Sequence, residues 1–184
     1  MNQSQDLAVN GNPALIVVHG SGITGMDATH LGMFDIPLVA NIPNIVYLAP
    51  TNKEEYLAML EWGVEQDQHP VVVRVPSKGI VTTGNKVEAD FSQLNKYKKT
   101  IEGSEVAIIG LGAFYQLGEK VHTKLQETMG INATLINPRF ITGIDKEMLT
   151  ELLADHKLVI TLEDGLLDGG FGEKIARFYG GTEI

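Results

Sequence analysis

Short apolar runs rich in β-branched residues alternate along this chain with segments whose apolar residues recur every three or four positions, and that alternation leaves few folds open. Runs at residues 14–18 (ALIVV), 45–49 (IVYLA), 70–75 (PVVVRV), 105–109 (EVAII), 133–136 (ATLI) and 158–162 (LVITL) read as buried strands. Between them, Tyr56, Leu57, Met59, Leu60 and Val64 stripe one helix, and Phe114, Leu117, Val121, Leu125 and Met129 stripe another. Met148, Leu149, Leu152 and Leu153 share the face of a third, and residues 31–40 and 172–179 read as shorter helices. The boundaries carry matching signals: Asn52 as an N-cap with Glu55 as its capping-box partner, Asp145 as a second cap, and Gly130 where a left-handed glycine ends a helix. Strands alternating with helices predict an α/β fold with mainly parallel sheets covered on both faces.

Charge divides the chain into three. Residues 1–76 carry net −6, residues 77–100 net +3, and residues 101–184 net −6. The middle stretch lacks a long apolar period and contains Gly79, Gly84 and the basic residues Lys96, Lys98 and Lys99. It reads as a linker between two three-layer lobes, 1–76 and 101–184, with the lysines on a solvated face. The overall charge of −9 argues against a nucleic-acid partner. There is no cysteine, which removes disulfides and thiolate metal sites and fits a reducing, cytoplasmic location. No apolar run reaches the roughly 18 residues of a membrane span, and the polar start MNQSQD has no signal-peptide character.

Local motifs narrow the chemistry. Gly110-Leu-Gly112 follows a strand as a dinucleotide-binding turn would, but Tyr115 stands where the third glycine belongs, so a tight strand-to-helix turn is expected. No P-loop and no GxSxG elbow occurs, and the five histidines form no close metal-ligand pair. His69, His122 and His156 read as surface or helix-terminus residues. Asp27 and His30 differ from these. They sit on a glycine-rich loop after the first strand, at the end of a parallel sheet where ligands bind. An imidazole there can move a proton near neutral pH or donate to an oxyanion, and the pair could equally just hold the loop together.

Taken together, five stretches resemble the transketolase superfamily, and within it the 1-deoxy-D-xylulose-5-phosphate synthase family. They are GITGMDATHLGMFD at 22–35, IPNIVYLAP at 42–50, PVVVRVP at 70–76, NPRF at 137–140, and LEDG from 162 continuing to GGFG at 169–172. The resemblance implies that residues 1–76 are the later part of a pyrimidine-binding domain and residues 101–184 most of a C-terminal domain. It further implies that the family's metal–diphosphate domain and its pyrimidine-activating glutamate are not in this chain, so that the chain is a fragment, inactive alone and holding no cofactor. The parent would use thiamine diphosphate and Mg2+ to join pyruvate to glyceraldehyde 3-phosphate with loss of carbon dioxide, supplying isoprenoid and thiamine precursors, and would be a homo-oligomer. A non-catalytic assembly or regulatory module, or a degenerate paralogue, is the alternative.

The resemblance also assigns residues. His30 matches a histidine that contacts substrate and the thiamine intermediate, and Asp27 a substrate-contacting aspartate, with one residue fewer between them than usual. Two family arginines that hold the substrate phosphate are replaced, one by Gly20 and the other by the pair Ser77 and Lys78. Lysine binds phosphate as a point charge without arginine's bidentate fork. Arg74 is read as structural.

Overall fold

The computed structural model describes residues 2–22 and 32–181. Its elements run α1 (Asn2–Asn10), β1 (Ala14–Ser21), α2 (Asp35–Val39), β2 (Val46–Leu48), α3 (Lys53–Glu65), β3 (Pro70–Pro76), β4 (Lys98–Ile101), β5 (Glu105–Gly110), a 3-10 turn (Gly112–Phe114), α4 (Tyr115–Met129), β6 (Thr134–Asn137), α5 (Lys146–Leu152), β7 (His156–Leu162) and α6 (Phe171–Gly180). The strands form two sheets, ordered β1-β3-β2 and β4-β6-β5-β7. All pairings are parallel except β4 with β6. No helix of the described residues is long and apolar enough to cross a membrane.

Period-two alternation on β3 decides what each face of the first sheet meets. Val71 and Val73 pack with Ala58 and Met59 of α3 and with Phe91 of the connector. Val72 points the other way, into a core that also contains Tyr47, Ala107, Ile109, Leu149, Phe171 and Ile175. That core belongs to both sheets at once, so the two lobes are fused rather than strung together. Segment 139–141 seals the join along the free edge of β2: the Ala49 amide donates to the Arg139 carbonyl (2.8 Å) and the Ile141 amide to the Tyr47 carbonyl (2.7 Å).

The helical stripes read from sequence are rotated in the structure. On α4, Leu117 and Met129 are 42% and 66% exposed, while Gly118 and His122 are buried. Gly118 fits the rotation: a Cβ there would meet Leu135 Cδ1 at 2.9 Å, so any larger residue would have to displace that buried side chain or move the helix off the sheet. His122 is a core residue, its Nδ1 2.9 Å from the Ala133 carbonyl, and not the surface residue expected. His156 is likewise covered, between Asp155 and the Thr134 hydroxyl. On α3, Leu57 and Val64 face solvent and the buried line runs through Glu55, Ala58, Met59 and Gly63. Asn52 caps α3 as expected (Glu55 amide to Oδ1, 2.8 Å), but the Glu55 carboxylate turns to the Thr51 amide and hydroxyl and to Asn137 Nδ2 across the lobe boundary.

The linker expected at 77–100 is shorter than its charge suggested. Lys98 to Thr100 already belong to β4, and Phe91 and Tyr97 are buried. Arg139 holds this stretch through Glu88 (2.7 Å) and the Lys96 carbonyl (2.7 and 3.1 Å). Lys96, Lys98 and Lys99 pair with Glu147, Glu88 and Glu102, so the basic cluster is charge-compensated surface. Trypsin should therefore cut first after Lys78 or Lys86, which are exposed in the irregular part of the connector. First cleavage after Lys96, Lys98 or Lys99, followed by mass spectrometry, would contradict this.

One carboxylate ties the irregular part to α3. Glu54 accepts from the Gly84 amide (2.8 Å) and the Thr83 amide (3.2 Å), which hold its carboxyl down at about 2, below the usual 4.5. A depressed carboxyl stabilises above its unfolded pKa and loses that contribution as pH falls through its folded one. Protection of the Thr83 and Gly84 amides from exchange should fall between about pH 4.5 and 2. In Glu54→Gln it should already be reduced at neutral pH.

Candidate functional site

Parallel strands bring their carboxyl ends to one side, and the expected site residues with described positions lie there. Ser21 ends β1, and β3 ends at Pro76, paired with it. The Ser77 amide donates to the Ser21 carbonyl (3.0 Å), which fixes the Ser77–Lys78 turn against the end of β1. Gly79, at φ +82°, closes that turn with its amide on the Pro76 carbonyl (3.0 Å). Gly22 and Gly32 face each other in an antiparallel bridge, with the Gly22 amide donating to the Gly32 carbonyl (2.9 Å). They flank residues 23–31, which contain Asp27 and His30 and lie outside the described residues.

The bridge requires glycine at both positions. A Cβ on Gly32 would strike the Gly20 carbonyl oxygen, which is backbone and cannot yield. A Cβ on Gly22 would strike the Asp164 carboxylate. Gly20, where the resemblance implied a replaced arginine, has φ +77° and open space around its Cβ position. Room for a side chain is present, but the left-handed backbone disfavours one.

Beside the bridge is a cavity of about 450 Å³, lined by Ser21, Ser77, Lys78, Phe114, Gln116 and Asp164 among others. Ser77 and Lys78 both line this cavity. Phe114, Gln116 and Asp164 come from the second lobe and were not expected at the site. For Asp164 a signal existed, since it lies in the LEDG stretch that carries the family resemblance. Phe114 and Gln116 had none, because helical spacing alone does not say which strand end a turn will meet.

Beneath this end lies a buried ionic cluster that spans both lobes. Arg74, only 3% exposed, donates from Nε to Asp35 Oδ2 (2.6 Å) and from Nη2 to Asp35 Oδ1 (3.2 Å), and its Nη1 donates to Asp164 Oδ1. The Tyr47 hydroxyl donates to Asp35 Oδ2 (2.5 Å). Burial works against the Arg74 charge, but the Asp35 and Asp164 carboxylates outweigh it and hold the guanidinium above its ordinary range. Burial, reinforced by Asp35, raises the Tyr47 phenol, so it remains a neutral donor. The structural reading of Arg74 holds for its geometry: it joins β3 and α2 of the first lobe to the end of β7 in the second. Next to Asp164, burial raises the Glu163 carboxyl although it accepts from the Phe171 and Gly172 amides at the start of α6.

Comparison with known proteins follows this architecture. The transketolase pyrimidine-binding domain family matches residues 3–80, and the transketolase C-terminal domain family matches residues 95–183. This chain belongs to the transketolase family. It is 33% identical over 174 residues to the 1-deoxy-D-xylulose-5-phosphate synthase of Lachnoclostridium phytofermentans, covering 94% of this chain and 27% of that protein. It is 34% identical over 184 residues to that of Halothermothrix orenii, covering 97% of this chain and 28% of the relative. The chain thus spans little more than a quarter of these relatives. Among solved structures, a split-gene transketolase described as an inactive beta4 tetramer superposes with a TM-score of 0.76 at 23% identity, over 92% of this chain and 54% of that one. A transketolase variant from Pichia stipitis gives 0.70 at 14% identity, over 97% and 32%. These two likenesses establish the fold.

Proposed function

We propose that this chain supplies the acceptor-binding part of a thiamine-diphosphate-dependent transferase resembling 1-deoxy-D-xylulose-5-phosphate synthase, which condenses pyruvate with glyceraldehyde 3-phosphate and releases carbon dioxide. The observation that carries the reading is the Ser77–Lys78 turn lining one cavity with Ser21, which holds that turn through the Ser77 amide and directly precedes the Gly22–Gly32 bridge. Lys78 supplies a point charge for the acceptor phosphate and Ser77 a short hydroxyl donor. His30 serves as donor to the developing oxyanion or as proton carrier, and Asp27 as acceptor for a substrate hydroxyl. Thiamine diphosphate, held elsewhere in the assembly, would supply the electron-sink chemistry that decarboxylation of pyruvate needs, while these residues bind and orient the acceptor.

The described residues do not fit the metal–diphosphate end of that cofactor. Among them no three His, Asp or Glu side chains converge where a metal ion could be held. That end would be gripped by other parts of the assembly, with Mg2+ there, and the chain alone is proposed to be inactive and to bind thiamine diphosphate weakly. The chain's lack of cysteine accords with the reducing cytosol proposed as its location.

The decisive experiment is a chimera in which this chain replaces the matching part of the Halothermothrix orenii relative. The chimera should release carbon dioxide in a reaction that depends on both pyruvate and glyceraldehyde 3-phosphate, and the chain alone should not. Lys78→Ala in the chimera should raise the KM for the phosphorylated acceptor about tenfold, the loss of one charge-assisted contact. Turnover by the chain alone, or indifference to Lys78→Ala, would overturn the assignment.

We also propose that the chain self-associates. Phe34 and Leu38 are exposed one helical turn apart on and before α2, and Leu167 is 85% exposed on the neighbouring loop, which packs on Ile36 and Pro37 at Gly165 and Gly169. Apolar surface gathered this way marks an interface. Leu167→Asp should shift the mass measured by light scattering towards monomer. A wild-type monomer at high concentration would refute the proposal.

A further inference from the structure

At the opposite end of the first sheet, where β2 and β3 begin, the lobes line a larger, open cleft of about 730 Å³. Its wall includes Lys146 in the first turn of α5, Lys174 and Arg177 on α6, His69 just before β3, and the polar side chains of Asn41 and Thr142. Among the described residues, no aspartate or glutamate lines it. For a chain of net charge −9 this is an uncommon concentration of positive charge.

The reason the cations stay uncompensated lies in where their neighbours turn. Asp145 and Glu147 flank Lys146 in sequence, but both are drawn to Lys96, and Asp145 also accepts from the Tyr97 and Met148 amides. Glu173 adjoins Lys174, yet it accepts from the Gly169 amide. Among the described residues neither Lys146, Lys174 nor Arg177 is ion-paired with a carboxylate, and Lys174 donates only to the Ile141 carbonyl (3.0 Å). Lys174 is half-buried, and burial together with the nearby Arg177 charge lowers its pKa, although Glu163 pulls the other way. Two cations on successive turns of one helix, with a third across the cavity, repel one another unless an anion sits between them.

We propose that this cavity is a binding site for a small phosphorylated anion, separate from the acceptor site at the other end of the sheet. Arg177 offers a planar fork for two phosphate oxygens, Lys146 and Lys174 add point charges, and Asn41 and Thr142 can complete the shell. The cavity is large enough for a phosphate ester of some size. Its walls come from both lobes, so an occupant would brace the join between them.

Titration calorimetry of the intact chain with inorganic pyrophosphate, and separately with inorganic phosphate, tests this. Pyrophosphate should bind in a saturable, one-to-one manner and raise the melting temperature. Arg177→Ala and Lys146→Ala, both at exposed positions, should each weaken it about tenfold or more, the loss expected for one charge-assisted contact. Lys78→Ala should leave the affinity unchanged. Binding that is lost in Lys78→Ala but kept in Arg177→Ala would put the anion at the acceptor end and overturn the proposal. No saturable binding of either probe would do the same. Tight binding of phosphate equal to that of pyrophosphate would narrow the ligand to a monophosphate while leaving the site in place.

Discussion

Arg74→Ala should unfold this protein more readily than any other single substitution outside the apolar core, lowering stability by about 3–5 kcal/mol. The magnitude follows from what is left behind. Asp35 and Asp164 have side chains only 8% and 10% exposed, and Arg74 is the cation paired with both. Removing it strands two carboxylates in a place water scarcely reaches, and leaves the Tyr47 hydroxyl bonded to an uncompensated charge. Because the cluster joins β3 to the end of β7, the loss falls on both lobes together, and chemical denaturation should remain a single transition with an earlier midpoint. Replacing the whole cluster, Arg74→Met with Asp35→Asn and Asp164→Asn, should recover much of the deficit, since most of it is the penalty of unpaired charge and not the worth of the pairs. A loss below about 1 kcal/mol in Arg74→Ala would show that water reaches the carboxylates after all.

The second large effect concerns turnover in the chimeric enzyme, and it separates chemistry from scaffolding. His30→Ala should reduce kcat/KM by about 10²- to 10⁴-fold, the range for a group that handles a proton in the transition state, with little change in melting temperature. Gly32→Ala should also abolish most activity but by another route. Its added methyl would collide with the Gly20 carbonyl and break the Gly22–Gly32 bridge, so stability should fall as well, by about 1–3 kcal/mol. If His30→Ala and Gly32→Ala lower melting temperature equally, the loop histidine is holding structure and not handling substrate.

Much of this molecule can be read from local pattern. The β-branched runs became strands because six of them could be buried only by stacking in parallel under helices, and the Asn52, Asp145 and Gly130 boundaries held because caps depend on near neighbours alone. The order of motifs was enough to indicate the transketolase family and the strand ends that meet at Ser77 and Lys78. Sequence could not say how far the two halves would merge. Charge marked residues 77–100 as a linker, but burial of Phe91 and Tyr97 and the grip of Arg139 depend on partners some 40 to 50 residues away. It also misplaced the stripes of α3 and α4. There the glycines at 63 and 118, which count as nothing in an apolar pattern, decide which face comes nearest the sheet. Arg74 shows the division most directly. Its position on β3 follows from the alternation of the strand, but the joint it makes between the lobes exists only because the fold sets Asp35 and Asp164 on either side of it.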